Sequence, residues 1–169
     1  DYIYGGSGAD LLAGGSRTDN LAGGSHAATN TGDANEDYVS GEGGNDSLDG
    51  GAANDSVYGG SGNDVVSGGS GNDTLAGDSG ADSLYGNDNN DYIEGGSGSD
   101  LIVGGLGRDT MYGGSGADTF LFTSLADAAV ARDSIMDFQS GLDVVSFAGV
   151  GLTYVVGAFT GAMQIRYSS

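Results

Sequence analysis

The sequence has no cysteine, no proline and no lysine. Without cysteine there is no disulfide framework and no zinc ribbon. Without proline or a Gly-X-Y period it is not collagen. The only bases are Arg17, Arg108, Arg132 and Arg166, and the only histidine is His26. Against these stand 24 acids, leaving a formal net charge of −20. A field of that sign repels phosphates and anionic lipid heads, so nucleic acid and membrane surfaces are not expected partners. No apolar run approaches the roughly 20 residues that a transmembrane helix needs. The first residues show no signal-peptide pattern. One histidine cannot supply the clustered ligands of a zinc protease, so no catalytic constellation is expected in this chain.

What the chain does have is glycine, 36 of its 169 residues. So much glycine with so much charge would suggest disorder, unless both are ordered along the chain. They are. Aspartate recurs at Asp1, Asp10, Asp19, Asp37, Asp46, Asp55, Asp64, Asp73, Asp82, Asp91, Asp100, Asp109 and Asp118. Every gap is nine residues except one of eighteen, and the absent member falls in phase at Ala28. Gly5 to Leu121 is thirteen repeats of nine, each beginning with glycine. Two residues past each aspartate sits an apolar residue, from Ile3 and Leu12 through Leu75 and Leu84 to Phe120. Asn30 breaks that rule, in the repeat that also lost its aspartate.

This period predicts six residues of turn followed by a strand of three. Gly, Ser, Asn and Asp suit the turn. The middle strand residue faces one way and its neighbours the other. A three-residue strand buries nothing alone, but stacked repeats do, as in solenoids. Two repeats would make one coil with a strand on each side, and the apolar middle residues would fill a thin core. The aspartates then stack along two edges, about 4.8 Å apart, where they repel unless a cation lies between them. Four arginines are too few. Calcium takes six to eight oxygens in flexible geometry and suits carboxylates with glycine-exposed carbonyls; magnesium, strictly octahedral, suits them less.

The repeat, for example Gly59-Gly60-Ser61-Gly62-Asn63-Asp64-Val65-Val66-Ser67, resembles the GGxGxDxUx nonapeptide of the RTX calcium-binding proteins. The resemblance implies an all-β fold: a parallel β-roll, a right-handed β-solenoid of two sheets of short strands, over residues 1–121. It implies calcium between successive turns on each edge. The thirteen aspartates would be ligands, together with turn carbonyls around Gly5, Gly14, Gly32, Gly41, Gly50, Gly59, Gly68, Gly77, Gly86, Gly95, Gly104 and Gly113. One edge carries Asp1, Asp19, Asp37, Asp55, Asp73, Asp91 and Asp109, and a nearly continuous ladder is expected there. The other has Ala28 in place of its second aspartate, and a gap is expected around it. One ion per pair of adjacent turns gives a total on the order of ten. Arg17, His26, Asn35, Ala53 and Asn89 stand at the fourth position of their repeats, where glycine belongs, and the first third is expected to be the loosest part. Asp33, Glu42 and Asp78 at the second position are either extra ligands or solvated surface charge.

The period stops at Leu121, and residues 122–169 are expected to form a small β-rich C-terminal cap. Ser124-Leu125-Ala126-Asp127 resembles a capping box for a short helix reaching about Ala131. Strands are expected over Ile135–Phe138, Val144–Phe147, Tyr154–Val156 and Met163–Tyr167. The runs Ala117-Asp118-Thr119-Phe120, Asp133-Ser134-Ile135-Met136-Asp137-Phe138, Gly141-Leu142-Asp143 and Ala158-Phe159-Thr160-Gly161 resemble the segment after the repeats in serralysin-type secreted metalloproteases. A related run occurs in the repeat modules of alginate epimerases. Both ends of the chain read as cut, and the C-terminal secretion signal of such proteins is expected to lie outside it.

Three other features have plainer readings. Gly77-Asp78-Ser79-Gly80 resembles a serine-nucleophile motif but occupies an ordinary turn. The Asn-Asp-Ser/Thr triplets at Asn45, Asn54 and Asn72 match a glycosylation sequon, and the repeat accounts for them. Tyr2, Tyr4, Tyr38, Tyr58, Tyr92 and Tyr112 all fall on alternate strands, with Tyr85 on the other side. One sheet should therefore display tyrosines, either as simple β-propensity or as a docking face for a neighbouring domain or a polysaccharide. The resemblance implies a module that folds on extracellular calcium in a bacterial protein exported by a type I secretion apparatus. The parent would be a secreted enzyme such as a serralysin-type protease. The alternative is a carbohydrate-binding or adhesion module of an epimerase or surface protein.

Overall fold

The computed structural model describes residues 2–8, 10–15, 19–25, 28–123, 133–147, 152–154 and 160–164, with side chains up to residue 147 apart from Ala28. Asp1, Arg17, His26, Arg132, the expected helix over 124–131 and the Ala158-Phe159 pair lie outside the described residues.

The odd strands are β1 (Tyr2–Tyr4), β3 (Asn20–Ala22), β5 (Tyr38–Ser40), β7 (Ser56–Ser61), β9 (Thr74–Ser79), β11 (Tyr92–Ser97), β13 (Thr110–Ser115) and β15 (Ser134–Gln139). The even strands are β2 (Asp10–Ala13), β4 (Ala28–Thr31), β6 (Ser47–Ala52), β8 (Val65–Ser70), β10 (Ser83–Asp88), β12 (Leu101–Leu106), β14 (Thr119–Phe122) and β16 (Val144–Phe147). Two further strands, β17 (Leu152–Tyr154) and β18 (Thr160–Gln164), complete the set. The odd strands pair in order as one parallel sheet and the even strands as another, so the chain alternates between two sheets. This is an all-β parallel two-sheet solenoid. β17 and β18 close the C-terminal ends of the two sheets by pairing antiparallel with β16 and β15. Among the described residues no helix is long and apolar enough to cross a membrane.

From β6 to β13 the strands run six residues rather than three. They continue past the apolar triplet into the opening residues of the next repeat. Register shows why: Tyr92, Ile93 and Glu94 pair with Thr110, Met111 and Tyr112, and then Gly96 and Ser97 pair with Gly114 and Ser115. The turn backbone thus hydrogen-bonds to the next coil as the strands do, which satisfies its amides.

Translation by eighteen residues stacks like on like. Leu21, Val39, Val57, Leu75, Ile93, Met111 and Ile135 line the inner face of the odd sheet, all buried. Leu12, Leu48, Val66, Leu84, Ile102, Phe120 and Val145 line the even sheet. One contiguous core runs from Val39 to Val145. It thickens at the C-terminal end, where Phe120 meets Phe138 at 6.4 Å and Phe122 stacks on Phe147 at 5.4 Å.

Asn30 occupies the core position between Leu12 and Leu48 and is fully buried. Its Nδ2 donates to the Ser40 carbonyl at 2.9 Å, but its Oδ1 has no donor. A buried unsatisfied acceptor costs about 1–3 kcal/mol. Asn30→Leu should therefore stabilise the folded roll, by about 1 kcal/mol after loss of the Ser40 bond, read as a rise in the urea midpoint.

Candidate calcium-binding edges

Each edge is built by the same local geometry. Most turns hold positive φ at their second and fourth positions. Glycine supplies it at most of these, and Glu42 (65°), Ala53 (91°), Asp78 (69°), Asn87 (76°) and Asn89 (79°) at others, whereas Asp33 and Asn35 do not have it. Asparagine and aspartate reach this region through short polar side chains, whereas Glu42 and Ala53 hold it at a cost.

The aspartates close the turns. One carboxylate oxygen accepts the amide of the aspartate one coil before it. Asp37 N–H donates to Asp55 Oδ1, Asp55 N–H to Asp73 Oδ1, and Asp73 N–H to Asp91 Oδ1, each at 2.8 Å. On the other edge Asp46 N–H donates to Asp64 Oδ1 and Asp64 N–H to Asp82 Oδ1, both at 2.8 Å. Asp82 N–H and Asp100 N–H continue to Asp100 Oδ1 and Asp118 Oδ1.

The second oxygen faces inward and finds no donor. Oδ2 of Asp10, Asp55, Asp64, Asp73, Asp82, Asp91, Asp100 and Asp118 is buried without a hydrogen bond. It points at the first glycine of its own repeat. At Gly50 an added Cβ would stand 2.7 Å from both Asp55 Oδ2 and the Gly68 carbonyl oxygen. At Gly95 it would stand 2.6 Å from Asp100 Oδ2 and 2.7 Å from the Gly113 carbonyl. Gly5, Gly41, Gly59 and Gly77 likewise have both the aspartate Oδ2 and a carbonyl of the next coil against them. Gly14, Gly68, Gly104 and Gly113 have the Oδ2 against them, and Gly32 and Gly86 have both kinds of oxygen. The result is a row of acceptor-only cradles on each edge.

Acceptors facing acceptors out of water are unstable without a positive charge. Burial pushes Asp91 up to about 8, with Asp109 and Asp73 adding to the rise against the lowering effect of its backbone hydrogen bond. Burial also pushes Asp55 up to about 7 and Asp64, Asp82 and Asp118 up to about 6. Asp73 and Asp100 rise for the same reason. A hard divalent cation held by carboxylate and carbonyl oxygens is the group that this donor set fits. Among the described residues no three acidic or histidine side chains cluster on one point, so main-chain carbonyls must complete any such site.

Two turns solve the problem without a cation. Asp37 Oδ2 accepts the Asp33 N–H at 2.9 Å, in a turn where Asp33 Oδ1 also takes the Asn35 amide at 3.1 Å. Asn35 therefore does not need the positive φ of its neighbours' fourth position. At the far end, Asp143 Oδ2 accepts the Gln139 N–H at 2.7 Å.

The sequence reading missed three aspartates that the structure places on these edges. Asp109 N–H donates to Asp133 Oδ1 at 2.9 Å, and Asp118 N–H donates to Asp143 Oδ1 at 3.1 Å. Both ladders thus run on past Leu121. Asp137 caps the last turn, accepting Gly113 N–H and Gly114 N–H at 2.8 Å each. The signal was present. Asp133-Ser134-Ile135 and Gly141-Leu142-Asp143-Val144-Val145 read as repeat fragments, displaced from the eighteen-residue interval to 24 and 25.

Where asparagine precedes the ladder aspartate, it also has a structural role. Asn45 Oδ1 accepts the Asn63 N–H at 2.9 Å, Asn63 Oδ1 the Ala81 N–H at 2.9 Å, and Asn54 Oδ1 the Asn72 N–H at 2.8 Å. Ser79, in the Gly77–Gly80 turn, donates its hydroxyl to the Gly60 carbonyl at 3.3 Å, as a turn residue would.

This stack of turns defines a calcium-binding β-roll. The family model of the RTX calcium-binding nonapeptide repeat (four copies) matches residues 1–25, 31–66, 67–102 and 85–120, and the chain belongs to that family. The matches pass over residues 26–30, which include Ala28 and Asn30. No curated protein matches the chain. The repeats bind calcium, and the roll is a structural rather than a catalytic fold of a kind typical of secreted bacterial proteins.

Proposed function

We propose that the chain is a folding module that calcium switches on after export, in a protein secreted by a type I apparatus. The row of buried, donorless Asp Oδ2 atoms facing glycine cradles carries this reading. Each repeat orders nine residues at about 1–2 kcal/mol apiece. It buries one aliphatic side chain, contributing about 1.5–3 kcal/mol. The apolar core alone therefore does not hold a coil, and like charges along both edges oppose it. Calcium supplies the missing charge when bound, and binding only the folded state drives folding by mass action. Inside a cell, where free calcium is scarce, such a chain stays extended and suited to a narrow channel. Outside, millimolar calcium exceeds the roughly 0.1–1 mM dissociation constants of extracellular sites.

The ligands in this reading are Oδ2 of the ladder aspartates with the turn carbonyls beside them, on the order of ten ions in all. Asp37 Oδ2 already has a donor, so the ladder of the first edge is weakest at that turn. Ala28 has no carboxylate, so the second edge has its gap there. Residues 1–121 form the roll in this reading and 122–169 its cap. The cap's likeness to serralysins points to a secreted protease as the parent.

The test is the hydrodynamic radius by dynamic light scattering. In chelator the chain should be expanded, and in 5 mM calcium it should contract to a compact particle, with equal magnesium far less effective. A chain equally compact in chelator would refute the proposal.

A further inference from the structure

The outer face of the odd sheet carries two equivalent tyrosine pairs. Tyr38 and Tyr58 lie diagonally on β5 and β7 with ring centroids 5.2 Å apart, tilted by 33°. Tyr92 and Tyr112 repeat the same diagonal on β11 and β13 at 5.4 Å and 44°. Tyr38 and Tyr92 are 43% and 41% exposed. The two pairs are three coils apart, about 14 Å at the usual strand spacing.

Both pairs stand beside acids that do not belong to the calcium ladders. Glu94 is exposed and pairs in register with Tyr112 on the next strand. Glu42 follows Tyr38 in the same coil and is exposed. Burial and these negative neighbours push the Tyr38 and Tyr92 phenols up. Ions held on the edges would cancel the ladder charge, whereas Glu42 and Glu94 would keep theirs. The face therefore stays negative beside its rings when the roll is loaded.

We propose that this face binds an extended basic segment of a partner polypeptide, with one arginine on each tyrosine pair. A guanidinium stacks on an aromatic face while its edge donates to a carboxylate. An extended strand rises about 3.4 Å per residue, and alternate residues share a face. Two arginines four positions apart are thus about 14 Å apart and point the same way, matching the two stations. Arginines three positions apart point to opposite faces and match only one.

The probes are two synthetic peptides, Arg-Thr-Ser-Thr-Arg and Arg-Thr-Ser-Arg, titrated by calorimetry into the calcium-loaded chain. The first should bind at least fivefold tighter than the second and weaken as salt rises. Glu94→Gln and Tyr92→Ala should each weaken it about fivefold or more, with the calcium-induced β signal unchanged. Glu94 is exposed, so Glu94→Gln keeps the test valid even if Tyr92→Ala disturbs the fold. Equal affinity for the two spacings overturns the proposal, as does indifference to Glu94→Gln. Retention of a neutral polysaccharide with no binding of either peptide overturns it in favour of a carbohydrate face.

Discussion

Gly77→Ala should cripple calcium-dependent folding although it adds a single methyl group. The new Cβ would stand 2.5 Å from Asp82 Oδ2 and 2.5 Å from the Gly95 carbonyl oxygen. Real Cβ atoms do not approach backbone oxygens that closely, so the coil must open or the carboxylate must leave the cradle. Gly77 does not have positive φ, so the effect would isolate lost space from backbone strain. The expected result is a rise of tenfold or more in the calcium concentration at the folding midpoint. Ser47→Ala, on an exposed outward position of β6, should leave the midpoint unchanged. A Gly77→Ala midpoint within twofold of the parent would show that the cradles do not hold the ligands.

Acid should fold the metal-free chain, the reverse of ordinary acid denaturation. In the folded roll Asp91 is pushed up to about 8, Asp55 to about 7, and Asp64, Asp82 and Asp118 to about 6. An unfolded aspartate titrates near 3.9. A folded value above the unfolded one means that the folded state binds more protons. Its stabilisation is complete below about pH 4 and is lost as pH rises through about 6 to 8. In chelator, β signal should therefore grow as pH falls from 8 to 4. In calcium the β signal should persist across the same range while bound calcium falls, because calcium needs ionised carboxylates and protons take its place as the pH drops. Metal-free β signal that falls, or stays flat, from pH 8 to 4 would contradict the inward-facing carboxylates.

Most of the roll was legible because its determinants are local and repeat in phase. One apolar residue per nine, two past each aspartate, predicts both core stacks from Leu12 to Phe120. It also predicts which sheet shows the tyrosines, since alternate repeats must alternate sheets. The strand length was not legible. Gly96 and Ser97 belong to turn-forming sequence, and only stacking on Gly114 and Ser115 makes them strand. The special turn at Asp33 was hidden for a similar reason: its acid satisfies the Asn35 amide, and its own amide satisfies Asp37. Beyond Leu121, Asp133 and Asp143 rejoin the ladders after intervals that break the period. Spatial stacking tolerates such an outward loop, whereas a count along the sequence does not.

In the proposed function, filling the edges with calcium is what folds the chain. The most direct test is a single titration from chelator into calcium at pH 8, where the edge carboxylates are mostly ionised without it, with bound calcium and far-UV circular dichroism recorded on the same sample. Little β signal should be present at zero bound calcium, followed by a cooperative rise that tracks occupancy to on the order of ten ions per chain. Full β signal with no calcium bound, or calcium bound without a gain in β signal, would contradict it.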